Sequence, residues 1–169
     1  MFRISQLPGS DQSMETIADS GHADGGIMLG AEAQRIVLSP TSERLAAPRA
    51  SLASRLRALA SDHALYVIFD GLTAQGSPET VYNVYFDLED GPPAKGASDP
   101  RYIGTLHFFD AVGASVENAK AAAFNVTEVI RNLQLRDPES RVISVTLIPI
   151  GTPAKGAHPA VAEIRLVMK

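Results

Sequence analysis

The sequence predicts an all-β protein, a jelly-roll-like antiparallel β-sandwich with one or two short helices in its connections. Segments rich in Val, Ile, Tyr and Phe recur along the chain, punctuated by Gly, Pro and Asp. The gaps at 72–80 and 150–160 are too short and polar for the crossover helices that a parallel sheet needs. Only one stretch sustains a helical period. These observations place a single β-sandwich domain at residues 27–169, behind a flexible lead-in at 1–26.

The lead-in contains "SGHADGG", lacks a sustained period and is expected to pack weakly. A strand follows at 34–38, which Pro40 stops. In "PRASLASRLRALASDH", Leu52, Leu56 and Leu59 recur at helical spacing, and Pro48 with Ser51 suits a helix start. This helix, at 50–60, is expected to cover one end of the sandwich with its leucines and to leave its arginines in water. "ALYVIFDGL" (64–72) reads as the next strand. "TVYNVYFDL" (80–88) alternates, with Tyr82, Val84, Phe86 and Leu88 on the core face and Val81, Asn83, Tyr85 and Asp87 on the other. In "RYIGTLHFF" (101–109), Gly104 marks a bulge or a close backbone approach. "FNVTEVIRNLQL" reads as a strand end turning into a short helix, with Asn125 and Glu128 at capping-box spacing. The strands "RVISVTLIPI" (141–150) and "AVAEIRLVMK" (160–169) complete the series.

Composition narrows the function classes. With 169 residues, 45% of them hydrophobic and 20% charged, the chain can bury one sizeable core. A net charge of −4 offers no basic field for a nucleic-acid backbone. The absence of cysteine excludes disulfides, thiolate metal sites and a cysteine nucleophile. No run approaches the roughly 20 apolar residues of a membrane span, and the first residues lack a secretory signal's apolar core. A cytoplasmic location is the expectation.

No local motif carries chemistry by itself. His22, His63, His107 and His158 are dispersed, without metal-ligand spacing, and His107 beside Phe108 and Phe109 reads as a structural or surface histidine. Asp87, Glu89 and Asp90 lack the alternating ligands and terminal glutamate of a calcium loop, so they read as a solvated strand end. Pairing in space with Asp70 or Asp99 would revive a metal site. "NVT" at 125–127 reads as a cap rather than a glycosylation triplet, and no G-x-S-x-G elbow is present. Arg49, Arg55 and Arg57 give the helix a basic face able to dock on a partner. "GPPAKGA" (91–97) and "GTPAKGA" (151–157) share six of seven letters. They lack the order of a Walker loop and read as inter-strand turns. Lys95 and Lys155 form one binding edge if both lie at the same end of the sandwich.

The ordered set "VYNVYFDLEDGPP", "YIGTLHFFDA", "FNVTEVIRNLQL", "RVISVTLIPIGTPAKG" and "VAEIRLV" resembles the C-terminal domain of bacterial tyrosinases and plant polyphenol oxidases. That family reads there as an aromatic Y-x-V-Y-x-N-L strand, a G-T/S-L/F strand, a D-V-T-D turn and a V-T-L/F-V-P strand. The match covers about residues 64–169, and Asn125 stands where the family has Asp. The resemblance implies a β-sandwich that packs over a catalytic domain and shields its type-3 dicopper site, sometimes placing a side chain in the entrance. The chemistry belongs there to the other domain, which needs more histidines than the four present here. It therefore implies a free-standing, non-catalytic accessory, lid or chaperone-like module without a cofactor, whose partner is a dicopper oxidase or a second copy of itself. Tyr102, Phe108 and Phe109 are the candidates for the inserted side chain, and Lys95, Lys155, Arg55 and Arg57 are further candidate contacts. The alternative is a stand-alone ligand-binding, metal-binding or enzymatic sandwich with a site between its loops. That site would draw on Asp87, Asp90, Asp99 and His107, or on Lys95 with Lys155.

Overall fold

A computed structural model describes residues 13–22, 24–46, 50–89, 96–134 and 139–169. The chain forms strands β1 (Glu15–Asp19), β2 (Ile27–Met28) and β3 (Gln34–Pro40), then helices α1 (Glu43–Ala46) and α2 (Leu52–Asp62). Strands β4 (Leu65–Leu72), β5 (Tyr82–Asp87), β6 (Tyr102–Leu106) and β7 (Lys120–Asn125) follow. Helix α3 (Thr127–Asn132) leads into β8 (Ile143–Pro149), β9 (Ala160–Val161) and β10 (Glu163–Met168). Eight strands make one sheet in the order β6-β5-β8-β3-β1-β10-β4-β7, and β2 pairs with β9 in a small ribbon. Every pair of neighbours is antiparallel. The all-β, sandwich-like expectation is met, by a single sheet that curls until its end strands β6 and β7 meet.

The local readings hold where packing follows the sequence period. Tyr82, Val84, Phe86 and Leu88 all face the core and are buried. Leu52 and Leu56 seat α2 on the core, and Ser51 caps it by accepting the Ser54 N–H at 3.2 Å. Gly104 is both a bulge and a close approach. The β5–β6 register shifts between Val84 and Tyr85. Gly104 itself has φ 152°, and a Cβ there would lie 2.5 Å from the Phe124 ring of β7. The phenyl ring fills the seam between the end strands, and its edge meets Phe69 at 5.6 Å.

The lead-in needs correction. Residues 15–19 form a strand between β3 and β10, and Ile17 and Ala18 are wholly buried. "ETIAD" has too few apolar residues to announce a strand. Its stability comes from partners far along the chain, with Ala18 opposite both Leu166 and Pro40.

Antiparallel pairing sorts the connections to two poles. The 20–33, 73–81, 107–119 and 150–159 connections gather at one end, the loop pole. Helices α1, α2 and α3 gather at the other, the helix pole, where β5 also ends and β6 begins.

Candidate functional site

At the helix pole the charged side chains close the backbone. Arg131 donates from Nε (2.9 Å) and Nη2 (2.5 Å) to the Ala60 carbonyl in the last turn of α2, and pairs with Glu128 at 2.5 Å. Arg57 of α2 donates in return to the Leu133 carbonyl just past α3. Each helix thus caps orphan carbonyls of the other. Arg57 is therefore engaged inside the molecule, whereas a solvated arginine was expected. Arg55 reaches the Ser51 carbonyl at 3.5 Å, and its Nη1 is buried without a hydrogen-bond partner. Arg49 lies outside the described residues. Asn125 accepts the Thr127 N–H at 3.0 Å in a turn that leads into α3, but the N-cap position itself is Val126, without a side-chain cap bond, and Glu128 turns to Arg131 instead of completing a capping box. The Thr127 hydroxyl is held by Leu65 N–H at 2.9 Å.

The acidic segment gathers a partner, and that partner is a cation. Arg101 reaches Asp87 Oδ2 at 2.8 Å and grips Asp99 through Nε at 2.9 Å and Nη2 at 2.8 Å. All three side chains are largely buried, and the bonds to Asp99 first, then Asp87, hold the guanidinium pKa above its ordinary value. Asp87 and Asp99 do meet, with a guanidinium where a metal would sit. Asp70 pairs with Arg165 at 2.6 Å, and Asp90 lies outside the described residues. Among the described residues, no group of three or more His, Cys, Asp or Glu converges to hold a metal ion. A cleft of about 510 Å³ opens between α2 and α3, lined by Ser61, Asp62, His63, Asn125, Glu128 and Arg131. Its one cation, Arg131, is already committed to Ala60 and Glu128.

The strands that precede the two "PAKGA" stretches end at opposite poles. Strand β5 ends where β8 begins, Asp87 facing Ser144, and β8 ends where β5 begins, Pro149 facing Tyr82. The connections that leave these antiparallel neighbours depart from opposite poles, roughly 20 Å apart for six residues of strand. Lys95 itself lies outside the described residues, while Lys155 is exposed at the loop pole.

The loop pole leaves apolar side chains in water. Of the exposed large hydrophobic residues among those described, Phe109 (66%), Ile150 (64%), Met28 (46%) and Val112 (42%) all lie there. Tyr82 at the start of β5 faces Leu106 on one side and Pro149 on the other, so the next residues, His107 and Ile150, flank Val81 on one rim. The Ile150 N–H donates to the Val81 carbonyl at 2.9 Å. Phe109 opens a 3-10 turn (Phe109–Ala111) that backbone bonds pin in place: Ala74 N–H to Ala111 at 3.1 Å and Gly113 N–H to Ala74 at 2.8 Å. Of the aromatic candidates, Phe108 is core, edge-on to Tyr82 at 6.1 Å. Tyr102 is half-buried, packed on Tyr85 at 5.8 Å and bonded to Thr105 through its hydroxyl at 2.7 Å. Phe109 alone of the three projects. Sequence reasoning missed Ile150 and Val112; the apolar residue after Pro149 at a strand end was the available signal. No helix among the described residues is long and apolar enough to cross a membrane.

No protein-family profile matches this sequence, and no curated protein matches it. Solved structures are similar. A latent aurone synthase (polyphenol oxidase) from natural source superposes with a TM-score of 0.48 at 16% identity, covering 86% of this chain and 26% of that one. For latent apple tyrosinase the TM-score is 0.49 at 16% identity, with 85% and 27% covered. The chain thus spans about a quarter of the length of the structures it matches.

Proposed function

We propose that this chain is a non-catalytic shielding module that docks its loop pole over the mouth of a type-3 dicopper oxidase. The ordered strand motifs that resemble the tyrosinase C-terminal domain support the general class. The exposure of Phe109 carries the reading. Its ring is 66% exposed in a turn that backbone bonds to Ala74 pin in place, and further exposed apolar side chains, Ile150, Val112 and Met28, lie on the same pole. An isolated exposed hydrophobic residue needs no explanation, whereas several on one face mark an interaction surface. A rigid aromatic is also the side chain that fills a partner's pocket at least entropic cost. Phe109 enters the oxidase mouth, and Val112 and Ile150 seal its rim against water.

The test is to mix the chain with the catalytic portion of apple tyrosinase, freed of its own C-terminal domain, and follow polyphenol oxidation and copper content. The expected result is saturable inhibition by the wild-type chain and none by Phe109→Ala. Equal inhibition by both, or none by either, sinks the proposal.

A further inference from the structure

We infer that His107 is a positioning residue that holds Phe109 ready to dock; the inference deepens the shielding reading above and rests on it for its partner. The two rings stack at 5.2 Å between centroids with 29° between planes. Strand β6 ends at Leu106, and Phe108, at φ −117° and ψ 17°, turns the chain out of the extended conformation into the 3-10 turn that begins at Phe109. At this break Phe108 is buried edge-on to Tyr82 at 6.1 Å, while His107 and Phe109 are both exposed and stack on each other. His107 is exposed and belongs to the rim beside Val81, so its stack contributes little to the core.

The stack's effect falls on the unbound state. An exposed phenyl on a turn otherwise moves among staggered rotamers, and binding must freeze it. A neighbouring aromatic that already holds the ring in one rotamer removes part of that cost before the partner arrives. The imidazole lies on one face of the phenyl, which leaves the other face and the far edge free for contact. Aromatic pairs of this kind correspond to roughly a two- to tenfold change in affinity.

The experiment has two arms on the whole chain. In the first, proton NMR of the free protein reads the ring-current shifts and cross-peaks between His107 and Phe109. They are expected in wild type and His107→Phe, and the Phe109 signals are expected to collapse toward free-phenylalanine values in His107→Ala. In the second, inhibition of the same tyrosinase catalytic portion is titrated. His107→Ala is expected to raise the inhibitory concentration two- to tenfold, and His107→Phe to restore it. A free-phenylalanine spectrum in the wild type, or a His107→Ala variant as inhibitory as wild type, overturns the positioning role. If inhibition is absent for every variant while the NMR stack is present, the shielding reading fails, and with it the docking role given to His107.

Discussion

The two poles of this sandwich finish their exposed ends by opposite means. At the helix pole, Arg131, Arg57 and Arg101 cross between elements and satisfy carbonyls or carboxylates that would otherwise be left bare. At the loop pole, backbone bonds such as Gly113 N–H to Ala74 and Ile150 N–H to Val81 hold the turns, helped by neutral hydroxyls such as Thr80, which accepts the Gly151 N–H at 2.9 Å, and with no ion pair among the described residues of those turns. The apolar side chains there have no such duty, and four large ones, Met28, Phe109, Val112 and Ile150, stand in water. The difference separates charge that stabilises the fold from hydrophobicity that is available to a partner. Substitutions at the helix pole should therefore alter stability, and those at the apolar rim should alter binding.

The largest expected effect comes from Arg101→Ala. It leaves Asp87 and Asp99 facing each other with little solvent to screen them, since their side chains are 16% and 7% exposed. Breaking a buried pair by removing one partner costs about 3–5 kcal/mol. Urea unfolding should show that loss, and Asp99→Asn in the same background should recover part of it. A loss below about 1 kcal/mol would mean that the triad is a solvated surface pair, and the contrast between the poles would weaken.

Next is Gly104→Ala, which tests the seam between β6 and β7. The new methyl group must displace the Phe124 ring and adopt a φ of 152°. Overpacking of this kind costs typically about 1–3 kcal/mol. The companion Phe124→Ala should lose stability by a cavity instead, and the double variant should be better than the sum of the two. Additive losses would show that the ring and the glycine do not constrain each other.

Smaller again is Arg131→Ala, expected to cost about 1 kcal/mol, the lower end for charged hydrogen bonds because the side chain is 42% exposed. Amide exchange in the last turn of α2 should accelerate while that of β4 stays unchanged. Uniform acceleration would show that the cap acts on global unfolding and not on the helix end.

How much of this was legible beforehand depended on whether a feature is local. The α2 leucines, the Ser51 cap, the buried face of 80–88 and the role of Gly104 could all be read from period and residue chemistry. Strand β1 could not, because "ETIAD" is a strand only by virtue of partners such as Leu166 and Pro40. The arginine contacts were equally invisible: Arg57 and Leu133, or Arg131 and Ala60, meet only once the chain has closed around the sheet. Likewise, that the strands before the two "PAKGA" stretches end at opposite poles follows only from β5 and β8 being neighbours that run in opposite senses. The projecting site lay between these cases. "HFF" offered Phe108 and Phe109 alike as exposed candidates, and only the break from β6 into the 3-10 turn at Phe108 decides that Phe108 is core and Phe109 projects.

The smallest stability effect belongs to Phe109→Ala, and it tests the comparison most directly. The ring is 66% exposed, and its turn is tied by backbone bonds that alanine retains. Surface substitutions of this kind stay within about 0.5 kcal/mol, so urea midpoints of variant and wild type should coincide. The same holds for Ile150→Ser and, with its half-buried edge, nearly so for Val112→Ser. A loss above about 1 kcal/mol at Phe109 would place the ring within the fold's own packing. The loop pole would then be an extension of the core, with no side chain to spare for an oxidase mouth.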